Sequence, residues 1–223
     1  MLFRSDAAAT HPAWSPDGRQ IAFDARLAGK SIIYLVGVES GAARPLTVNE
    51  ANSVAPTWSS DGNYVYFGSE RNDAWQVWKA SATDGNSVQV TRQGGYEARE
   101  SSDGKFLYYN KAGYNTIGLF RMPVSGGAET RVFDLINLLS VRDWCLTDKG
   151  VYFVHRYDEM NKAVAHPSIQ FFDFASSQIS EAAPLPHDPI ADPGLSVSPD
   201  GSWLYYSIDD SRNYDIMLIE NFR

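Results

Sequence analysis

The hydrophobic positions of the chain fall into short alternating runs that recur after similar turns. Each turn has the form Ser-x-Asp-Gly or a variant of it, and the five copies occupy residues 15–18, 59–62, 101–104, 147–150 and 198–201. Asp and Gly favour turns because the Asp side chain bonds back to the chain and Gly accepts a positive φ. The turn glycines lie 44, 42, 46 and 51 residues apart. This spacing predicts five structural repeats.

Every turn is followed by an alternating apolar and aromatic run, which is typical of a β-strand. These runs occupy residues 21–23, 64–67, 106–109, 151–154 and 203–206. A second run follows a polar loop, at residues 32–36, 75–79, 118–122, 169–173 and 215–219. The segment before each turn and a short outer segment complete a pattern of four antiparallel strands per repeat. No window has sustained helical periodicity, so almost no helix is expected.

Four-stranded units with a period of about 40–45 residues are typical of a β-propeller. We therefore predict an all-β fold, a five-bladed β-propeller that forms a single domain over residues 1–223. The blades are expected at about 7–48, 49–92, 93–135, 136–186 and 187–223. The last repeat ends after its third strand, and residues 1–6 are expected to supply its outer strand, which would close the ring and protect its edges. The alternative is a fragment of a longer propeller.

The composition fits a folded domain that binds neither nucleic acid nor a membrane. Hydrophobic residues make up 43% of the chain, enough to bury a core, and its net charge of −8 would repel an anionic duplex or lipid surface. Cys145 is the single cysteine, so no intrachain disulfide can form. No apolar run is long enough for a transmembrane helix, and no signal peptide is recognisable. We expect a monomer, in either the periplasm or the cytoplasm.

The repeat resembles the PD40 repeats of TolB-type propellers, which are WD40-like in architecture. Residues 14–23, Trp-Ser-Pro-Asp-Gly-Arg-Gln-Ile-Ala-Phe, match the family pattern closely, and residues 58–62 and 197–201 match it well. Two copies depart from the pattern, with Glu100 in place of the aromatic residue and Lys149 in place of the Asp. Residues 215–223 resemble the C-terminus of bacterial multidomain signalling proteins that end in such a propeller. The resemblance implies a sensory or interaction module and names no ligand.

The recurring aromatic residues are expected in the core, because aromatic residues that alternate along a strand usually pack between sheets. The predicted core members are Trp14, Phe23, Trp58, Phe67, Tyr109 and Tyr206. The turn aspartates are likewise expected to cap turns rather than to form a catalytic or metal-binding set.

The strand before each turn would be the innermost strand of its blade and would line a central channel. Six residues before the turn Asp or its equivalent, the repeats place His11, Ala55, Glu97, Asp143 and Gly194. The charged and polar members of this set are His11, Glu97 and Asp143, and two arginines, Arg99 and Arg142, lie within two residues of them in the sequence. We therefore predict a ligand site at the channel mouth, formed by His11, Glu97, Arg99, Arg142 and Asp143. Such a site would suit a protein segment, a peptide or a small polar molecule. The alternative is a ring of ion pairs that satisfies itself.

Three functions stay open at this point, and no metal or cofactor is predicted for any of them. The first is a non-enzymatic binding module, and the second is a structural part of a larger propeller sensor that has no ligand of its own. The third is a glycan-active enzyme, whose candidate carboxylates are Glu97, Glu100, Asp143 and Asp192. Such an enzyme needs two carboxyl groups about 5–9.5 Å apart, a distance that sequence cannot give.

Overall fold

The computed structural model describes residues 9–27, 29–47, 51–71, 74–111, 118–133, 143–157, 163–185, 194–198, 200–209 and 214–220. Within these ranges the chain forms β-strands and no helix, as the alternating pattern predicts. The described part of the chain accordingly offers no helix that could cross a membrane. The chain divides into two compact units, Met1–Asp134 and Leu135–Arg223.

The first unit contains three antiparallel sheets of four strands each, one sheet for each of the first three repeats. The strands are β1 (Ala9–Trp14), β2 (Gln20–Leu27), β3 (Lys30–Gly37), β4 (Ala43–Pro45), β5 (Ser53–Trp58), β6 (Tyr64–Arg71), β7 (Ala74–Ser81), β8 (Ser87–Gln89), β9 (Ala98–Glu100), β10 (Phe106–Tyr109), β11 (Leu119–Pro123) and β12 (Thr130–Phe133). Strands adjacent in sequence are adjacent in each sheet, which is the arrangement of a propeller blade. The innermost strands are therefore β1, β5 and β9.

The Asp-Gly turns have the hydrogen bonds that their sequence predicts. In the second repeat the Ser59 hydroxyl donates to Asp61 at 2.6 Å, and the backbone N–H of Asn63 donates to the same carboxylate at 2.9 Å. These bonds lower the pKa of Asp61, the bond from Ser59 most strongly. Gly62 adopts a φ of 72°, a conformation that favours glycine. The turn aspartates of this unit thus act as caps, as expected.

The core of the first unit lies between consecutive sheets. Ala22, Ile33 and Leu35 of the first sheet, and Leu46 directly after it, pack with Val65, Phe67 and Ala80 of the second. Tyr66 and Val77 of the second sheet pack in the same way with Ala98, Leu107, Tyr109 and Met122 of the third. Each blade therefore buries its apolar face against its neighbour, which provides the hydrophobic stabilisation of the unit.

Five of the six predicted core aromatics are buried or pack against a core, and the prediction for Trp14 is wrong. Phe23, Phe67, Tyr109 and Tyr206 are buried, and Trp58 packs against the cluster between the first two sheets. The Trp14 side chain is 61% exposed. Trp14 belongs to the first sheet of its unit, so its ring has no preceding sheet there to cover it as the first sheet covers Trp58.

The second unit contains one four-stranded antiparallel sheet and one sheet with three described strands. The strands are β13 (Trp144–Leu146), β14 (Gly150–Tyr157), β15 (Ala163–Asp173) and β16 (Gln178–Pro184), followed by β17 (Leu195–Val197), β18 (Trp203–Asp209) and β19 (Tyr214–Glu220). Cys145, Val154 and Ile169 of the first of these sheets pack with Leu195, Leu204 and Tyr206 of the second. Residues 1–6, the predicted outer strand of the last blade, lie outside the described residues. The chain is thus an all-β propeller built from antiparallel, four-stranded blades.

Candidate ligand-binding site at the start of the innermost strands

The innermost strands of the first two blades begin with a bulge. The pairing of β1 with β2 shifts between Thr10 and Ala13, and the pairing of β5 with β6 shifts between Val54 and Thr57. His11 lies within the first of these irregular stretches with a φ of 53°, a left-handed conformation that costs energy in residues other than glycine. Bulges re-aim side chains and are common beside functional sites. Counting along the repeat predicts His11 as a site residue but does not predict this bulge.

Asp24 fixes the position of His11. The His11 Nδ1 atom lies 2.5 Å from one carboxylate oxygen of Asp24, and the Thr10 hydroxyl donates to the other oxygen at 2.6 Å. The backbone N–H of Ala55, in the second blade, also donates to Asp24 at 3.1 Å. The Asp24 side chain is 4% exposed and the His11 side chain 16%. Asp24 therefore holds the imidazole partly open to solvent and joins the first blade to the second.

A second buried carboxylate, that of Glu97, fixes Arg99. One guanidinium nitrogen of Arg99 donates to Glu97 at 2.7 Å, and the two side chains are 29% and 3% exposed, respectively. The backbone N–H of Glu97 donates to the Asn110 side chain at 2.9 Å, which anchors the chain just before β9. Both side chains lie on the same face because they are two residues apart in an extended segment. Arg99 is thus held at the start of β9 as His11 is at the start of β1.

The two remaining predicted site residues, Asp143 and Arg142, do not belong to the first unit. Asp143 belongs to the second unit, where it directly precedes β13 and is buried, and its backbone oxygen accepts a hydrogen bond from the backbone N–H of Val154 at 2.8 Å. Arg142 lies outside the described residues. Gly194, at the equivalent place before β17, has a φ of 52°. His11, Glu97 and Arg99 are therefore the members that the first unit places at the corresponding ends of its innermost strands.

Glu100, a candidate carboxylate for glycan chemistry, is engaged between two blades. It accepts hydrogen bonds from the backbone N–H and the hydroxyl of Ser60 at 3.1 and 2.6 Å, and from the hydroxyl of Tyr66 at 2.8 Å. Burial, and then the bond to Glu100, raise the pKa of the Tyr66 hydroxyl far above its ordinary value. Asp192, another candidate carboxylate, lies outside the described residues. Among the residues that the structure describes, no three His, Cys, Asp or Glu side chains are grouped to hold a metal ion.

Sequence reasoning missed Asp24, although one signal was available. Asp24 lies within strand β2, directly after the apolar run Ile21-Ala22-Phe23, and a charged residue next to such a buried run needs a partner. Its equivalents in the next two repeats are Gly68 and Asn110, which obscures the repeat position. The partner Ala55 lies 31 residues further along the chain, beyond the reach of a local pattern.

The turns, the four-stranded antiparallel blades and the polar starts of the innermost strands define a propeller of PD40-type repeats. Residues 4–140 match the model of the PD40 family, described as the TolB beta propeller domain. This stretch is more than half of the 223 residues, and the chain belongs to that family. The resemblance indicated by the Ser-Pro-Asp-Gly turns is thereby confirmed.

Individual relatives share parts of the chain or its fold. An uncharacterized protein of Agrobacterium fabrum, Atu1656, is 32% identical over 83 residues, which are 37% of this chain and 28% of that protein. TolB from Acinetobacter baumannii has a similar structure, with a TM-score of 0.78 and 20% identity, over 98% of this chain and 54% of the TolB chain. An oligogalacturonate lyase from Vibrio parahaemolyticus has a TM-score of 0.58 and 13% identity, over 96% of this chain and 76% of the lyase.

These similarities fix the fold and leave the activity open. The chain spans 28% of Atu1656 and 54% of the TolB chain, so it corresponds to only part of each. At 20% and 13% identity, the two structures share the fold with this chain and nothing more specific. Because one of them is an enzyme, the propeller fold alone does not separate a binding role from a catalytic one.

Proposed function

We propose that the protein is a non-enzymatic binding module that holds a protein segment, a peptide or a small polar ligand at the channel mouth. The observation that carries the proposal is the pairing of each partly exposed side chain with a buried carboxylate, His11 with Asp24 and Arg99 with Glu97. Side chains that are already fixed lose little conformational entropy when a ligand binds. A rigid strand end with polar side chains facing solvent is therefore a suitable place for recognition.

The proposed site has the five members that the repeat pattern predicts. They are His11, Glu97, Arg99, Arg142 and Asp143. In this proposal the five repeats are the blades of a single domain over residues 1–223, with residues 1–6 as the outer strand of the last blade. The module would serve as a monomeric sensory or interaction domain of a bacterial protein, in the periplasm or the cytoplasm. It would bind neither nucleic acid nor a membrane.

The charges of the site favour a ligand that carries both donors and acceptors. Arg99 carries a guanidinium, a positively charged group of N–H donors, and one of these donates to Glu97. A peptide terminus, whose charged end group lies beside polar backbone groups, has the matching chemistry. Charge-assisted bonds of this kind are stronger than neutral ones.

The proposal is tested by selecting peptides with free termini from a displayed library and measuring their affinity by calorimetry. Arg99→Gln and His11→Gln should each weaken the selected peptide about tenfold or more, since a hydrogen bond to a charged group contributes about 1.5–3 kcal/mol. Arg92→Gln, a change at an exposed arginine of the same unit, is the matched control and should bind like the unchanged protein. Equal affinity in all four proteins would place the ligand elsewhere and reject this site.

Two alternatives make different predictions for the same protein. A structural part of a larger sensor would select no peptide that depends on Arg99 or His11. A glycan-active enzyme would turn over an oligosaccharide, and the likeness to the lyase supports it at the level of fold only. The engagement of Glu97 by Arg99, and of Glu100 by Ser60 and Tyr66, favours the binding role over the enzyme, because carboxylates held in this way are less available for acid and base chemistry.

A further inference from the structure

Arg71, at the end of the second strand of the second blade, has a guanidinium that stacks on an aromatic ring. It is the last residue of β6, and its guanidinium carbon lies 3.9 Å from the centre of the Trp78 ring. One terminal nitrogen, Nη1, donates to the hydroxyl of Ser87 at 3.2 Å. Trp78 in turn packs against the apolar cluster between the first two sheets. The guanidinium is therefore stacked on an indole ring that the core holds in place.

Three N–H groups of this pair are buried without an acceptor in the part of the chain that the structure describes. Nε and Nη2 of Arg71 and Nε1 of Trp78 are inaccessible to solvent and have no hydrogen-bond partner there. In a guanidinium, Nε–H and the neighbouring Nη–H point the same way and form the fork that binds two oxygens of one oxyanion. Buried donors are nearly always paired in folded proteins, so three together require an explanation.

The charge of Arg71 also has no acidic partner among the described residues. In the described part of the chain, the ion pairs are those of His11 with Asp24, Arg99 with Glu97, Lys105 with Asp103 and Lys111 with Glu129. Arg71 belongs to none of them, and burial lowers its pKa without any opposing contribution from an acidic group. Retaining a buried, unpaired charge costs stability, and such a cost is common where a residue serves binding.

We infer that the Arg71 fork is a binding site for a carboxylate group. The two parallel N–H groups of the fork match the planar pair of carboxylate oxygens. The fork is covered in this structure, but the rest of Arg71 is partly exposed. Because an arginine side chain is long and flexible, rotation about its bonds can turn the fork toward an approaching anion. This site is separate from the channel mouth and does not depend on the function proposed there.

The test uses the full chain with acetate as the probe, against chloride at the same ionic strength. In an NMR titration, the Nε–H signal of Arg71, assigned from its loss in Arg71→Met, should shift and saturate with acetate. Acetate should raise the Tm of the unchanged protein and of the control Arg92→Met, in which an exposed arginine is replaced. Arg71→Met should lose this gain. Its Tm in chloride should equal or exceed that of the unchanged protein, because the variant removes an unpaired charge while keeping an apolar contact with Trp78.

A purely structural role of the stacked guanidinium predicts the reverse. In that case Arg71→Met would melt earlier in chloride and would gain as much from acetate as the unchanged protein, and this result would overturn the inference. A signal that responds to inorganic phosphate and not to acetate would overturn the assignment of the ligand class. If Arg71→Met does not fold, Arg71→Lys keeps a charge over the ring and lacks the fork. Loss of the acetate response in Arg71→Lys would support the site, and a response equal to that of the unchanged protein would reject it.

Discussion

The hydroxyl of Tyr66 donates a hydrogen bond of 2.8 Å to Glu100 and so joins the second blade to the third. One repeat earlier, the position of Glu100 is held by Trp58, whose indole N–H donates to the backbone oxygen of Ala13 at 3.0 Å. The residue that ends the innermost strand thus bridges to the preceding blade at both interfaces, once through an aromatic ring and once through a carboxylate. The loss of the aromatic residue at Glu100 is compensated by a different bond at the same place.

This bridge gives a prediction for Glu100→Gln. The amide keeps one acceptor oxygen for the two donors of Ser60 and the one of Tyr66, so one buried donor loses its partner. We expect the free energy of unfolding to fall by about 1–3 kcal/mol, measured by urea denaturation. Tyr66→Phe and the double variant complete a double-mutant cycle. Glu39→Gln, at an exposed glutamate of the same unit, should leave the unfolding midpoint unchanged. Additive effects of the two changes would show that the bond contributes nothing.

The turn of the third repeat predicts a dependence on pH. A hydrogen bond from Lys105, followed by one from Ser101, lowers the pKa of Asp103 from 3.8 to about 2. Because the pKa of Asp103 is lower in the folded state than in the unfolded chain, this carboxylate contributes its full stabilisation when the pH is above its pKa in the unfolded chain. It is lost as the pH falls through about 2. A carboxyl ¹³C titration should give a pKa near 2 for Asp103 and a higher value in Lys105→Met. Lys149→Met is the control, and an ordinary pKa in the unchanged protein would contradict the geometry of the turn.

Asp24, in the middle of β2, should be important for stability because it links the first two blades. Asp24→Ala removes the acceptor of Thr10, His11 and the backbone N–H of Ala55 together. We expect the free energy of unfolding to fall by about 1–3 kcal/mol for the unpaired N–H of Ala55 alone. Asp24→Asn should be less destabilised because its amide keeps one acceptor oxygen. Denaturation midpoints of both variants, with the exposed Glu181→Ala as control, measure this effect. A wild-type midpoint for Asp24→Ala would show that the network is not a structural link between blades.

Gly68, in β6 of the second blade, leaves room for the backbone of Tyr96, the residue before Glu97, to pass close to it. A Cβ atom at Gly68 would lie 2.4 Å from the backbone oxygen of Tyr96, which cannot move without shifting the loop. We expect Gly68→Ala to cost about 1–3 kcal/mol and to displace Glu97 and Arg99, which would weaken a ligand at the mouth. Gly37→Ala is the matched control. A Cβ there would approach only the Ser40 hydroxyl, at 2.5 Å, which can rotate away. Equal melting temperatures for the two variants would contradict the close crossing.

The sequence predicts the local turns and strands of this protein better than its long-range contacts. The turns around Asp17 and Asp61 and the alternating strands are local, so the sheets could be predicted. Counting along the repeat also selected His11, Glu97 and Arg99. Whether Trp14 is buried depends on a neighbouring sheet, and the role of Asp24 depends on a backbone group 31 residues away. The spacing of hydrophobic residues encodes neither contact, and for that reason the prediction that Trp14 lies in the core was wrong.

The central claim, that the start of the innermost strands binds a ligand, is tested most directly by mapping a selected peptide onto the protein by NMR. The account predicts that the largest backbone amide shifts occur at Thr10, His11 and the segment 97–99, and that they disappear in Arg99→Gln. Shifts confined to the outer strands β4, β8 and β12, or shifts that persist unchanged in Arg99→Gln, would contradict it.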